Sequence, residues 1–282
     1  MAFEWRVFAP ALFVVAVLAS AAAALAATAL HTVHARSGGV SATLSYRHDA
    51  SDAVEPFSDL QLVIVRNGRP LYRAAVANMP CGTLCWPNLP DALSVADVEA
   101  DGQPDVLLNL YTGGAHCCNV TDLFRYDAAH DDYSSLPHVW GDPGYSLAHL
   151  DASRADEFVT NDDRFAYEFA AYAFSGLPLE ILRLEGGRFV DVTRAYPELV
   201  AHDASTQWRY YLDDRSDGTG LGYLAAWAAD EYVLGRSAEV AQQLTRLGRD
   251  RELRSTDPSI WPAAAGFVAR LERFLRKTGY TS

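Results

Sequence analysis

The 282-residue chain has one lysine, Lys277, and 23 basic side chains in all against 36 acidic ones. Its formal charge of −13 repels phosphate backbones and anionic lipid surfaces, which argues against a nucleic-acid partner. Three motifs are missing as well: a His-Glu-x-x-His zinc site, a phosphate-binding glycine loop and a dinucleotide fingerprint. Enzyme classes built on those devices have no anchor here. Beyond residue 30 no apolar run approaches membrane-spanning length. No cysteine lies near the N-terminal cleavage patterns, which disfavours a lipid-anchored lipoprotein.

What is present begins with the N-terminus. Arg6 precedes an uncharged stretch from Val7 to Leu30, followed by small-residue patterns at Ala24-Leu25-Ala26, Ala27-Thr28-Ala29 and Val33-His34-Ala35. This is the layout of a secretory signal peptide over residues 1–35. A retained single-span anchor is the competing reading. Export makes the four cysteines, Cys81, Cys85, Cys117 and Cys118, expected disulfide partners. Three connectivities are open. Geometry disfavours bridging neighbours, so cross-links between the two pairs are the expectation. The apolar content of 50% and the length allow one large domain or two modest ones.

Residues 36–200 read as β-rich. "VSATLSYRH" alternates apolar and polar side chains, and "LQLVIVRNGRPLYRAAVA" places a hairpin turn at Asn67-Gly68. Pro143-Gly144 fits the centre of a type II turn, and Gly186-Gly187 marks another hairpin. Residues 201–282 change character. "GLGYLAAWAADEYVLG" has helical spacing closed by Gly235, Ser237 is the expected N-cap of a second helix, and Asp257-Pro258 is expected to open a last one.

The segment with chemistry in it is "DVEADGQPDVLL", Asp97 to Leu108. Asp97, Glu99, Asp101 and Asp105 offer carboxylates at positions 1, 3, 5 and 9, Gln103 offers a backbone carbonyl at position 7, and Gly102 makes the turn. Hard cations such as Ca²⁺ want such an oxygen-rich set. It is no EF-hand, because the twelfth position is Leu108 within a strand. A worn copy, "LAHLDASRADEFVTND", overlays it 52 residues later (149 − 97), so that Glu99 matches Asp151, Gly102 matches Arg154 and Asp105 matches Glu157. The alternative is an acidic turn whose carboxylates cap backbone N–H groups.

These residues, with the strand that follows and Gly113-Gly114, resemble the FG-GAP/VCBS-type repeat of secreted β-propeller and integrin-like proteins. The resemblance implies a calcium loop between strands, with Asp97, Glu99, Asp101 and Asp105 as side-chain ligands. It covers one good and one poor copy. A closed propeller needs at least four blades, so the expected fold is mainly β: an incomplete propeller-like array, or a sandwich, of degenerate repeats followed by an α-helical C-terminal region.

Catalytic candidates are thin. His116 beside Cys117 and Cys118 invites a thiol or metal site, but export favours oxidised cysteines. Ser146 lacks a nucleophile-elbow context. Asp131-Asp132, Asp162-Asp163 and Asp213-Asp214 read as solvated turns. Trp140, Tyr145, Phe165, Tyr167, Phe169 and Tyr172 either line a glycan-binding face or fill the core. The sequence therefore points to an exported, calcium-stabilised binding or envelope-interaction module, with a protein or glycan ligand and no evident catalysis. A secreted hydrolase is the alternative, marked by His and Asp side chains clustered in a cleft away from the Asp97 loop. A purely structural envelope protein is the third.

Overall fold

The structure is a computed structural model that describes residues 29–76 and 85–281. Most of the expected leader and Cys81 lie outside the described residues. Among those described, thirteen strands precede four α-helices. The chain is mainly β with a helical C-terminal part.

The strands form three antiparallel sheets, the first and third of them meanders in chain order. The first holds β1 (Ala29–Ser37), β2 (Val40–His48), β3 (Phe57–Arg66) and β4 (Arg69–Ala75). Strand β1 pairs with β2 along its whole length. The third leader pattern, Val33-His34-Ala35, therefore lies inside a paired strand. The β3–β4 turn has Asn67 at φ 49° and Gly68 at φ 78°, the two left-handed residues that a type I′ hairpin requires.

The second sheet comprises β5 (Trp86–Pro87), β6 (Leu93–Ala96), β7 (Asp105–Gly114), β8 (Cys117–Asp127) and β9 (Asp132–Gly141). The third comprises β10 (Ser146–Ala148), β11 (Glu157–Asn161), β12 (Leu179–Glu185) and β13 (Arg188–Asp191). The internal repeat is a repeat of register. Ala96 pairs with Asp105 and Val95 with Val106, while Ala148 pairs with Glu157 and Leu147 with Phe158. Each of the second pairs is the first displaced by the same 52 residues. Even the turn conformation persists, since Gly102 has φ 80° and its counterpart Arg154 has φ 72°.

The sheets stack face to face with the second in the middle. Val106, Leu108 and Leu110 of β7 join Val40, Leu44 and Ile64 of the first sheet in one core. Leu107 and Leu123 point the other way and join Phe158, Leu182 and Leu184 of the third sheet. Strand β7 is thus buried on both faces, which is why its sequence runs apolar instead of alternating. Three blade-like sheets stack without closing into a propeller.

A third core is helical. Helices α1 (Pro197–Asp214), α2 (Leu221–Val233), α3 (Ser237–Arg249) and α4 (Ala264–Thr278) pack around Leu224, Ala228, Leu247, Phe267 and Leu271, with Phe165 and Phe169 inserted from the β11–β12 connection. Two boundaries differ from expectation. Ser237 is the first residue of α3 and makes no capping hydrogen bond; Arg236 holds the cap position. Asp257 accepts from Ser259 N at 3.1 Å and closes only a turn, because Pro262 cannot donate to extend it. The last helix starts at Ala264.

Phe158 anchors the seam between the second and third sheets. It is fully buried, with its ring centroid 5.4 Å from Trp140, 5.1 Å from Tyr145 and 5.2 Å from Phe189. Phe158→Ala is expected to cost about 3–5 kcal/mol, measured as a lower midpoint in urea unfolding with the slope unchanged.

Candidate functional site

The Asp97 loop joins β6 to β7. Asp97 accepts from Asp101 N at 3.0 Å and from Gly102 N at 2.9 Å. Asp101 accepts from Gln103 N at 2.8 Å, and the Gln103 side chain accepts from Arg66. Glu99 accepts from Arg125 Nε of β8 at 2.6 Å. Asp105 is different. It is only 3% exposed, and its Oδ2 meets no hydrogen-bond donor among the described residues. Burial and the neighbouring Glu99 push its carboxyl up to about 8, with Arg125 pulling the other way and Asp101 adding to the rise. Among the described residues, no three His, Cys, Asp or Glu side chains are grouped as a metal cage. The donor set is nonetheless all oxygen, and the buried, unpartnered Asp105 Oδ2 is the kind of atom a hard cation satisfies.

The worn copy resolves the same charge problem internally. Arg183 of β12 donates through Nε to Glu157 at 2.9 Å and through Nη2 to Asp151 at 2.5 Å. Tyr196 donates to Glu157 at 2.8 Å, and Leu150 N donates to its other oxygen at 2.9 Å. Burial alone would raise the Glu157 pKa, but these donors outweigh it and hold the carboxyl below its usual value. A guanidinium occupies this loop as its counter-charge. Arg125 and Arg183 each follow a pair of apolar residues within a strand, in "LFRYD" and "ILRLE", and that is the signal sequence reasoning passed over.

The cysteines do not form the expected cross-links. Cys117 is set against its neighbour Cys118, and Cys85 is itself disulfide-bonded. The β7–β8 hairpin holds the neighbours at its end, with the Thr112 hydroxyl donating to Cys117 O at 2.5 Å and accepting from Cys118 N at 2.7 Å. His116 beside them stacks on Tyr172, with centroids 4.0 Å apart.

Two clefts open between the second and third sheets, on either side of Trp140. The first, of about 360 Å³, is lined by Asn88, Asp91, Asn109, Asn119, Thr121 and Tyr145, among others. Its polar groups are held in place. Asn88 donates to Asn119 at 2.9 Å, and Asn119 donates to Asp142 O at 2.7 Å. Thr121 and Tyr145 both donate to Asn109 Oδ1, at 2.7 and 3.0 Å. Trp140 Nε1 donates to Thr121 at 2.8 Å.

The second cleft, of about 490 Å³, brings together His138, Asp162, Asp163, Glu180, Asp191 and Phe189, with Cys118 at its edge. Glu180 is pushed up to about 7 by burial, then by Asp162 and Asp191, with Arg164 opposing. Burial lowers His138 to about 4, so its imidazole is neutral at pH 7. Asp163 packs against Gly141, where a Cβ would fall 2.2 Å from the carboxyl group, and Gly141 has φ +72°. Only glycine fits there. Asp162 is not the solvated turn residue expected: it is 2% exposed, bonded to Arg164 Nη2 at 2.6 Å and Tyr280 OH at 2.9 Å.

Of the aromatic residues expected on a binding face, Trp140, Phe165 and Phe169 are core, while Tyr167 is 50% exposed. Ser146 opens the short strand β10 and lies in no elbow.

No family model matches the chain. It is 29% identical over 235 residues to a "Probable thylakoid lumen protein" of Synechocystis sp., covering 76% of this chain and 62% of that one. It is 30% identical over 143 residues to an uncharacterized protein of Sinorhizobium fredii, covering 49% of this chain and 22% of the other. The chain thus spans less than two thirds of either relative. A solved structure of a Xanthomonas type IV secretion system related protein is similar over 58% of this chain and 97% of that one, at 14% identity and a TM-score of 0.24. A likeness that weak carries neither fold nor function across.

Arg183→Met leaves Glu157, 0% exposed, without its guanidinium. The expected loss is about 3–5 kcal/mol, and adding Glu157→Gln should recover part of it. Denaturant unfolding of the single and double variants measures both.

Proposed function

We propose that the chain is an extracytoplasmic β-repeat module of the FG-GAP/VCBS type that binds a hydroxyl-rich ligand, a glycan, between its second and third sheets. The observation that carries this is the first cleft. Fixed amides, a carboxylate, a hydroxyl and the ring of Tyr145 converge in a space of about 360 Å³ above the buried Trp140. Amide and carboxylate groups both meet sugar hydroxyls as hydrogen-bond partners, and ring faces cover the apolar C–H surface. The leader pattern supports export, as does similarity to a protein described as a probable thylakoid lumen protein. A glycan array followed by calorimetric titration tests the reading. Asn88→Ala with Asp91→Ala should weaken binding at least about tenfold, a loss of roughly 1.4 kcal/mol, at an unchanged melting temperature. An array with no binder above background would refute it.

Calcium belongs to the same proposal, as a structural ion. Asp97, Glu99, Asp101 and Asp105, with the Gln103 carbonyl, would hold it, and it would stabilise the folded chain by mass action. Chelator should lower the melting temperature and Ca²⁺ restore it. Asp97→Ala with Asp101→Ala should abolish the response, and a melting curve indifferent to chelator would count against the ion.

The second cleft favours a second reading, that of a hydrolase. Glu180, pushed up to about 7 by burial and by the neighbouring Asp162 and Asp191, has the character of a general acid set beside two further carboxyl groups. On this reading hydrolysis of a bound glycan falls as pH rises above 7, and Glu180→Gln abolishes turnover without abolishing binding. Binding with no turnover leaves the module reading alone.

A further inference from the structure

We propose that Asp203 and Asp230 hold one proton between them, making the junction of α1, α2 and β12 an acid-favoured latch. Asp230 lies on α2 between Ala229 and Glu231 and is completely buried. Neither of its carboxyl oxygens meets an N–H or O–H donor within hydrogen-bonding geometry among the described residues. The groups that act on it are few. Asp203 faces it from α1, Glu231 adjoins it on its own helix, and the Leu179 N–H approaches from β12. Asp203 accepts from Leu179 N at 3.2 Å and from Gln207 Nε2 at 3.4 Å.

An ionised carboxylate in so dry a place is costly, and neutralisation is the usual outcome. A neutral Asp230 carries an O–H, and the oxygen it faces belongs to Asp203. One proton therefore supplies the missing donor and removes the repulsion between the two groups. Burial, the repulsion from Asp203 and the hydrogen bond to it all push Asp230 well above the ordinary carboxylate range.

The latch reaches the second cleft through the backbone. Leu179 N–H is held by Asp203, and the next residue, Glu180, lines that cleft. The direction of the pH effect follows from the raised folded-state pKa. The stabilisation is complete below the unfolded-state pKa of about 3.9, and it disappears as pH rises through the folded-state value. Above that value Asp230 is ionised in a buried site, beside a second carboxyl group across the α1–α2 contact.

The test is calorimetry of the full chain from pH 5 to 9 in chelator, repeated with added Ca²⁺ or Mg²⁺. Asp230→Asn supplies a permanent N–H donor and should flatten the alkaline fall in melting temperature. At pH 8 it should melt roughly 4 °C above wild type. Asp203→Asn should do the same, and the two effects should not add. The protonated-carboxyl infrared absorption of wild type, to which Asp105 and Glu180 also contribute, should lose the intensity of one carboxyl in either variant, which keeps the proposal testable if one of them fails to fold. An alkaline slope identical in wild type and both variants would overturn it. So would a Ca²⁺ or Mg²⁺ stabilisation that Asp230→Asn removes, since the pair would then be holding a cation. A Ca²⁺ response retained in Asp230→Asn and lost in Asp97→Ala with Asp101→Ala supports it.

Discussion

The middle sheet is buried on both faces, and most of the remaining structure depends on that constraint. Strand β7 must satisfy two cores at once, so Val106, Leu108 and Leu110 face one neighbour while Leu107 faces the other. A slip of one residue in register would exchange the two sets. The same stacking brings the ends of β8, β9 and β12 together around Trp140. The clefts are what remains where the second and third sheets do not close against each other. Polar groups there are carried by paired strands, which is the arrangement that holds side chains in place.

A second theme is how a chain of charge −13 keeps acids inside. Each buried carboxyl has a different remedy. Glu157 has a guanidinium, a phenol and a backbone N–H. Asp162 has Arg164 and Tyr280. Asp122 has the Ser135 hydroxyl. Asp105 and Asp230 have oxygens that meet no donor among the described residues, and burial pushes both carboxyls well above their ordinary range.

Local rules were legible in the sequence where the code is local. Asn67-Gly68 turns as its chemistry demands, and the 52-residue echo preserves strand pairing residue for residue. Helix α1 was not legible. Its buried stripe is Val200, Ala204, Gln207 and Tyr211, and the glutamine in that seam hides the apolar period. The clefts were not legible either. Residues from Asn88 to Asp191 build them, and nothing in "LPLEILRLE" announces that Glu180 faces carboxylates from two other segments. Neither was the setting of Cys117 and Cys118. Disulfide geometry argued for long-range links, whereas both residues stand side by side at the start of β8, where Thr112 holds their backbone.

The two acidic loops differ in how fully a guanidinium serves them: Arg125 engages only Glu99 of the first, whereas Arg183 engages both Asp151 and Glu157 of the second. In the second loop the balancing cation is Arg183, covalently part of the neighbouring strand and present at unit occupancy. Such a loop needs only enough carboxylate to engage one guanidinium. Where the first loop has Asp101 and Gly102, this one has Ser153 and Arg154. Arg154 adopts the left-handed conformation that Gly102 has in the first loop. One backbone shape is thus built on two different sets of side chains, and only the dihedral angles reveal that it is the same.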